Sequence, residues 1–289
     1  MANKKLKPPV NIPVSKIHPF EGNPYKVLDN DEMNTLIGSI QEQGILTPII
    51  IRPIENTDEY EVISGHRRLH ATVKAGMKEV PAFIYAVTRD EAAIMLVDSN
   101  LHREHILPSE KAFAYKLKLE AIKRQGERTD LTSDQVGRKL ESAELIANKS
   151  DDSKTQVRRY IRLTYLIPEL LELVDEEKIA LTPAVELSYL TDKEQYALLG
   201  AIEVEDRTPS LSQAVRFKKL SQAGNLFDDD IETIMQEDKA NQKPMFKVSM
   251  ERLQEIAPRV KDKDFEDFVL KACEHYYRYL QRQRNRDAR

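Results

Sequence analysis

The sequence predicts an α+β chain, with a small mixed α/β domain first, an all-α domain next and a helical tail at the end. Three observations carry that prediction. Short apolar runs bounded by Pro or Gly alternate with short helical patterns up to about residue 87. From Thr88 onward the apolar period is helical almost throughout. An acidic stretch around Asp228-Asp229-Asp230 then separates this body from a last helical segment.

The elements follow in order. Asp31-Glu32-Met33 opens a helix carrying Met33, Leu36, Ile37 and Ile40, with Gly44 as its stop. Pro48-Ile49-Ile50-Ile51-Arg52-Pro53 reads as a buried strand, and Tyr60-Glu61-Val62 as a second that ends at Ser64-Gly65. A short helix with Leu69 and Val73 stops at Gly76, and Val80 to Tyr85 forms a third strand. Thr88-Arg89-Asp90-Glu91 has the spacing of a capping box. Ser109-Glu110 starts a helix with Ala112, Tyr115, Leu119 and Ile122, ending at Gly126. Helices continue to about residue 220. The expected organisation is an α/β domain at 10–87, an all-α domain at 88–220, an acidic linker at 221–245 and a helical tail at 246–289.

Composition bounds the function. The 289 residues are 40% hydrophobic and 32% charged, no run approaches the ~18 apolar residues of a membrane span, and the first residues lack an apolar leader stretch. A cytoplasmic protein is expected. A net charge of -4 excludes a globally basic coat for nucleic acid, so any DNA-binding charge must be local. The single Cys273 excludes an internal disulfide or a multi-cysteine zinc site, and the histidines show no metal-ligand spacing.

Two polar clusters carry candidate chemistry. Ser64-Gly65-His66-Arg67-Arg68 falls where a strand ends and a helix begins, a junction that offers free backbone N–H groups and the positive end of a helix dipole to a phosphate. Two guanidinium groups there can each grip a pair of oxygens. The blander alternative is a turn followed by solvated arginines. Asp98-Ser99-Asn100-Leu101-His102-Arg103 ends the following helix. Asn100 and Arg103 are three apart and can share a face that closes on the first cluster; alone, they read as a polar helix end.

A third feature points to DNA. Ser142 to Leu166 has the spacing of a helix-turn-helix, with Leu145, Ile146 and Ala147 on the first helix, a turn at Ser150 to Ser153, and Val157, Ile161 and Leu163 on the second. Asp151 holds the turn position where glycine is frequent. Ser153, Lys154, Thr155, Gln156, Arg158, Arg159 and Arg162 are the candidate DNA contacts, some for base edges and some for phosphates. An ordinary helix pair with a solvated basic face is the alternative.

Taken together, Gly65-His66-Arg67-Arg68 and Ser99-Asn100-Leu101-His102-Arg103 resemble the ParB family of partition proteins. The similarity continues through Asn23-Pro24-Tyr25, Ser39 to Ile49 and Leu107 to Ala112, and spans roughly residues 10–200. It implies a ParB/sulfiredoxin-like N-terminal fold and CTP held by Ser64, Gly65, His66, Arg67, Arg68, Ser99, Asn100 and Arg103, with any Mg²⁺ carried by the nucleotide phosphates. Asn100 is the catalytic candidate for slow CTP hydrolysis. The resemblance further implies a palindromic double-stranded DNA site, a homodimer, a ParA-type ATPase partner and a nucleoid- or plasmid-associated location. The runner-up is a nucleoid-occlusion-like or transcriptional regulator, and a third reading is a phosphotransferase or nuclease on the same fold.

Two departures matter. His66 replaces a glutamate of the first motif. Ser99 replaces a glutamate that in the family helps hold the metal, and a hydroxyl is a poor substitute for a carboxylate on Mg²⁺, so binding is better supported than hydrolysis. A sulfiredoxin-type reaction lacks its nucleophile, because no cysteine stands near Gly65. The tail's stripe of Phe265, Phe268, Val269, Ala272, Tyr276, Tyr279 and Leu280 needs a cover, either a second copy or the preceding residues 249–257.

Overall fold

The computed structural model describes residues 8–101, 103, 105–129, 146, 152–237, 252, 254, 256–257, 260 and 265–287; at 126–129, 266 and 283–287 only the backbone is described. The chain divides into two compact units after Glu237.

The first unit begins with a five-stranded mixed sheet. Its strands are β1 (Val10–Pro13), β2 (Ile17–His18), β3 (Ile49–Pro53), β4 (Tyr60–Ser64) and β5 (Glu79–Ile84), in the spatial order β1-β5-β3-β4-β2. β3 is central. It runs parallel to β5, with Ile49 opposite Ala82, and antiparallel to β4, with Ile51 opposite Val62. The alternation of side chains across a strand gives the sheet two apolar faces. Ile49, Ile51, Val62, Val80 and Ala82 gather on one with Leu69. Ile63 and Ile50 face the other, against Ala92, Ala93, Leu96 and Val97.

Those residues define the helices. α1 (Asp31–Gln43) is capped by Asn30, whose side chain accepts from the Met33 N–H, and it packs Met33 and Ile40 on Ala71 of α2 (His66–Lys74). α3 (Arg89–Asn100) begins with the expected capping box between Thr88 and Glu91. Since α3 covers one face of the sheet, the boundary expected at residue 87 does not separate two cores. α4 (Pro108–Thr129) runs through Gly126 instead of ending there. It buries Lys118 in an ion pair with Asp98 of α3.

The helical part continues with α5 (Lys154–Leu163), α6 (Pro168–Asp175), α7 (Leu181–Leu187), α8 (Asp192–Glu205), α9 (Leu211–Gln222) and α10 (Asp228–Gln236). One core joins Leu163, Leu170, Ile179, Leu187, Leu198 and Phe217. The linker expected at 221–245 is contradicted over its described part, residues 221–237. α10 is a helix whose Ile231, Ile234 and Met235 are buried in that core. Asp228, Asp229 and Asp230 occupy its first turn, where negative charge is favoured by the helix dipole, and Asp230 accepts from the Phe227 N–H at 3.1 Å.

In the second unit α11 (Phe265–Asp287) is the expected tail helix. Phe268, Tyr276, Tyr279 and Leu280 are exposed on it, and the Tyr276 and Tyr279 rings stack at 6.2 Å. Cys273 is exposed as well, not a buried apolar residue as its type suggests. Among the described residues no helix is long and apolar enough to cross a membrane, and no group of three or more His, Cys, Asp or Glu side chains is placed to hold a metal ion.

Candidate functional site

The turn from β4 into α2 is built around Gly65. Its φ of +103° is left-handed, and a Cβ there would stand 2.8 Å from Ile49 Cγ2 on the neighbouring strand. Glycine is therefore required both by conformation and by the closeness of β3. The Gly65 carbonyl accepts from the Leu69 N–H at 2.9 Å to start α2, and among the described residues no side chain caps this end. The first N–H groups of the helix are thus left for a ligand.

The two arginines of the turn differ. Arg68 is turned inward: its Nη1 donates to the Thr47 and Pro48 carbonyls, at 2.8 Å for Pro48. Burial lowers its pKa from the ordinary guanidinium value. It braces the loop before β3. Arg67 reaches outward and donates from Nη2 to Glu32 Oε2 at 3.0 Å. That pair is loosely held, with Glu32 74% and Arg67 36% exposed at the side chain.

His66 is held by its neighbours. Its Nε2 accepts from the Phe20 N–H at 3.2 Å, which assigns the ring proton to Nδ1. Burial, with the Arg103 charge as a smaller cause, pushes its pKa down to about 4, so the ring is neutral near pH 7. The Phe20–Lys26 loop is pinned along its length. Glu21 N–H donates to Glu61 Oε1 at 3.0 Å, and Glu61 is itself locked to Arg52 across β3 and β4 at 2.8 Å. The Asn23 side chain closes on Tyr25, and Lys26 N–H donates to Glu110 Oε1 at 2.8 Å.

These segments enclose one cavity of about 570 Å³, within the range of small-molecule sites. Ser64, Gly65, His66, Arg67 and Arg68 form one wall, and Asn100 and Arg103 line it from the end of α3. Seven of the eight residues expected to bind nucleotide therefore meet. The exception is Ser99, which is absent from the lining and donates from Oγ to the Leu96 carbonyl at 3.0 Å. Asn100 donates to the same carbonyl at 2.8 Å, and Arg103 lies beyond the end of α3, with its guanidinium 5.9 Å from the Tyr25 ring centre.

The wall missed by chemical reasoning comes from Asn23, Tyr25 and Lys26 and, on α1, from Glu32, Thr35 and Ser39. The Tyr25 hydroxyl is buried and has no hydrogen-bond partner among the described residues. Burial first, then the Glu110 charge, raises its pKa, so it stays protonated. Among the described residues Glu32 is the one carboxylate in the lining, and it stands against Arg67. A nucleoside triphosphate suits this donor set. The set offers little to a bare Mg²⁺, whose oxygen ligands would have to come from phosphates and water.

The second expected site is described in part. Most of Ser142 to Asp151, including Leu145, Ala147 and Lys149, lies outside the described residues, but Ile146 is helical and fully buried with Tyr115 and Val157. Asp152 accepts from the Tyr115 hydroxyl and stands 2.6 Å from Lys111 Nζ, tying the turn to α4. Ser153 caps α5, its Oγ accepting from the Gln156 N–H at 3.2 Å. Thr155 and Arg158 are exposed, and Lys154, Gln156, Arg159 and Arg162 are half-buried. Arg159 Nη2 donates to Thr182 Oγ1 at 2.5 Å. Arg162 is engaged with Ser188.

The family model described as the ParB N-terminal domain matches residues 2–101. The chain is 32% identical over 170 residues to the chromosome-partitioning protein Spo0J of Thermus thermophilus, covering 59% of this chain and 56% of that one. It is 33% identical over 139 residues to a nucleoid occlusion protein of Listeria monocytogenes, covering 48% and 46%. A C-terminally truncated ParB of Caulobacter crescentus, in a crystal structure with the centromeric parS site, is 21% identical over 78% of this chain and 98% of that one, with a TM-score of 0.42. The chain spans about half the length of the curated relatives it matches. Residues 2–101 thus match the ParB N-terminal domain, and its paired motifs lie on one cavity.

Proposed function

We propose that this chain is a site-specific DNA-binding protein of the partition type, whose N-terminal cavity binds CTP with Mg²⁺ carried by the phosphates. The observation that carries the reading is the meeting of the uncapped α2 N-terminus and Arg67 with Asn100 and Arg103 around one cavity. The triphosphate supplies a polyanion; the chain supplies backbone N–H groups and guanidinium donors. Ser64 to Arg68 would hold the phosphates, and Asn100 and Arg103 would close over them. With Ser99 facing Leu96 and no second carboxylate in the lining among the described residues, turnover by Asn100 would be slow.

Thr155, Gln156, Arg158 and Arg159 on α5, with Ser153 and Lys154 at its start, would meet a palindromic site as a homodimer, in a cytoplasmic, nucleoid- or plasmid-associated setting with a ParA-type ATPase as partner. The similarity to a nucleoid occlusion protein keeps a second role in view, the same DNA and nucleotide binding without partition. Stimulation of a ParA-type ATPase by the purified chain would favour the first.

Calorimetry with CTP, UTP, ATP and GTP in Mg²⁺ tests the site. CTP is expected to bind most tightly, and Arg67→Ala to weaken it about tenfold to a hundredfold, the range for removal of a charged hydrogen bond. Operator binding without nucleotide should change little. No heat with any of the four would end the reading. Glu32→Gln is expected to act in the opposite direction. It removes a negative charge from the lining and frees Arg67, and exposed pairs of this kind are worth about 0.2–1 kcal/mol, so affinity should rise about twofold to fivefold in the same titration.

A further inference from the structure

Arg162 lies on the face of α5 that its basic residues would assign to DNA, yet its Nε and Nη2 are already engaged within the fold. Nε donates to Ser188 Oγ at 3.0 Å and Nη2 to the Ser188 carbonyl at 2.6 Å. The guanidinium carbon stands 4.4 Å from the Tyr165 ring centre and 3.9 Å from that of Tyr189. Ser188 is 1% exposed, and its hydroxyl proton goes to the Val185 carbonyl at 2.7 Å, which leaves a lone pair for Arg162. The planar fork is matched to a hydroxyl and a carbonyl on one residue and covered by aromatic rings, a geometry that a lysine ammonium cannot reproduce. Three residues earlier Arg159 reaches Thr182, so α5 is joined to α7 both in its first turn and just past its end.

We propose that Arg162 is a positioning residue that fixes the angle of α5 against α7 through Ser188, and that it gives no charge to the DNA phosphates. The proposal rests on the reading of α5 as the DNA-contacting helix. A phosphate ligand and a clasp differ in salt dependence. Removing a cation that neutralises one phosphate lowers the slope of log K against log salt by about 0.9. A helix held at the wrong angle instead loses discrimination while the charges facing DNA stay the same.

The test uses the full chain with Arg162→Gln, Arg162→Lys and Ser188→Ala, and Arg158→Gln as the exposed control. All three clasp variants are expected to lower the ratio of operator to random-sequence affinity by about tenfold, the scale on which a single base pair is discriminated, and to leave the salt slope for random DNA unchanged. Arg158→Gln is expected to lower that slope by about 0.9. Without DNA, hydrogen exchange of the 154–163 amides should speed up in the clasp variants and not in Arg158→Gln. Full rescue by Arg162→Lys, a fall in slope for Arg162→Gln, or unchanged exchange in Ser188→Ala would each overturn the clasp. If the unaltered chain does not distinguish operator from random DNA, the DNA reading fails instead, and the DNA-free exchange measurement tells the two failures apart.

Discussion

Gly65→Ala is expected to cost the protein about 2–5 kcal/mol of stability, the sum of a non-glycine residue held in the left-handed region and an overpacked contact. Both terms come from the same place. The φ of +103° disfavours any side chain, and the added Cβ would lie 2.8 Å from Ile49 Cγ2, an atom of the central strand whose side chain is completely buried. Ile49 has no room to retreat, because Val80, Ala82 and Leu69 share its cluster. The strain must instead move the turn, which carries the first N–H groups of α2 and the Arg68 brace on Thr47 and Pro48. Urea unfolding should therefore show a lower midpoint with an unchanged slope. At denaturant-free conditions where the variant is still folded, CTP affinity should fall by more than in Arg67→Ala. A variant of normal stability that binds CTP normally would remove Gly65 from the centre of the site.

The same turn shows what the sequence made legible. Strand, Gly and paired arginines in succession are a local pattern, so the Gly65 wall of the cavity could be read from spacing alone. Which arginine reaches outward could not. Arg67 and Arg68 are adjacent and chemically identical, and only the carbonyls of Thr47 and Pro48, brought near by β3, decide that Arg68 turns inward. The opposite wall depended on tertiary folding. Asn23, Tyr25 and Lys26 enter the site because Glu61 and Glu110, far along the chain, hold their loop. Their type and spacing carry no phosphate signal, and family resemblance alone had picked out Asn23-Pro24-Tyr25. The α10 helix was misread for a different reason. Three successive aspartates look like a solvated loop, but Ile231, Ile234 and Met235 recur at helical spacing and were the signal to weigh against them. Arg162 is the converse case: its sequence neighbours suggest DNA, while its contact with Ser188, on another part of the fold, is visible only in three dimensions.

Protonation of His66 supplies a second large effect, visible without any ligand. The folded-state pKa is pushed down to about 4 from an ordinary 6.5, burial being the main cause and Arg103 the lesser. Between those values the unfolded chain binds a proton that the folded chain refuses, so stability rises with pH across that window and is lost as pH falls through it. The contribution amounts to about 3 kcal/mol at most, fully present above pH 6.5. Once protonated, the ring cannot accept from the Phe20 N–H, and it places a cation beside Arg103. Acid should accordingly loosen the Phe20–Lys26 loop that forms one wall of the cavity. Chemical denaturation at a series of pH values between 4 and 7 should show this slope, and His66→Gln should flatten it, since an amide can accept the same bond and has no proton to gain. Bound triphosphate should work against the slope, because phosphate charge favours the imidazolium and raises the His66 pKa toward its ordinary value. An NMR titration of the His66 ring that found the same low pKa with and without saturating CTP would place the phosphates elsewhere than beside the α2 N-terminus.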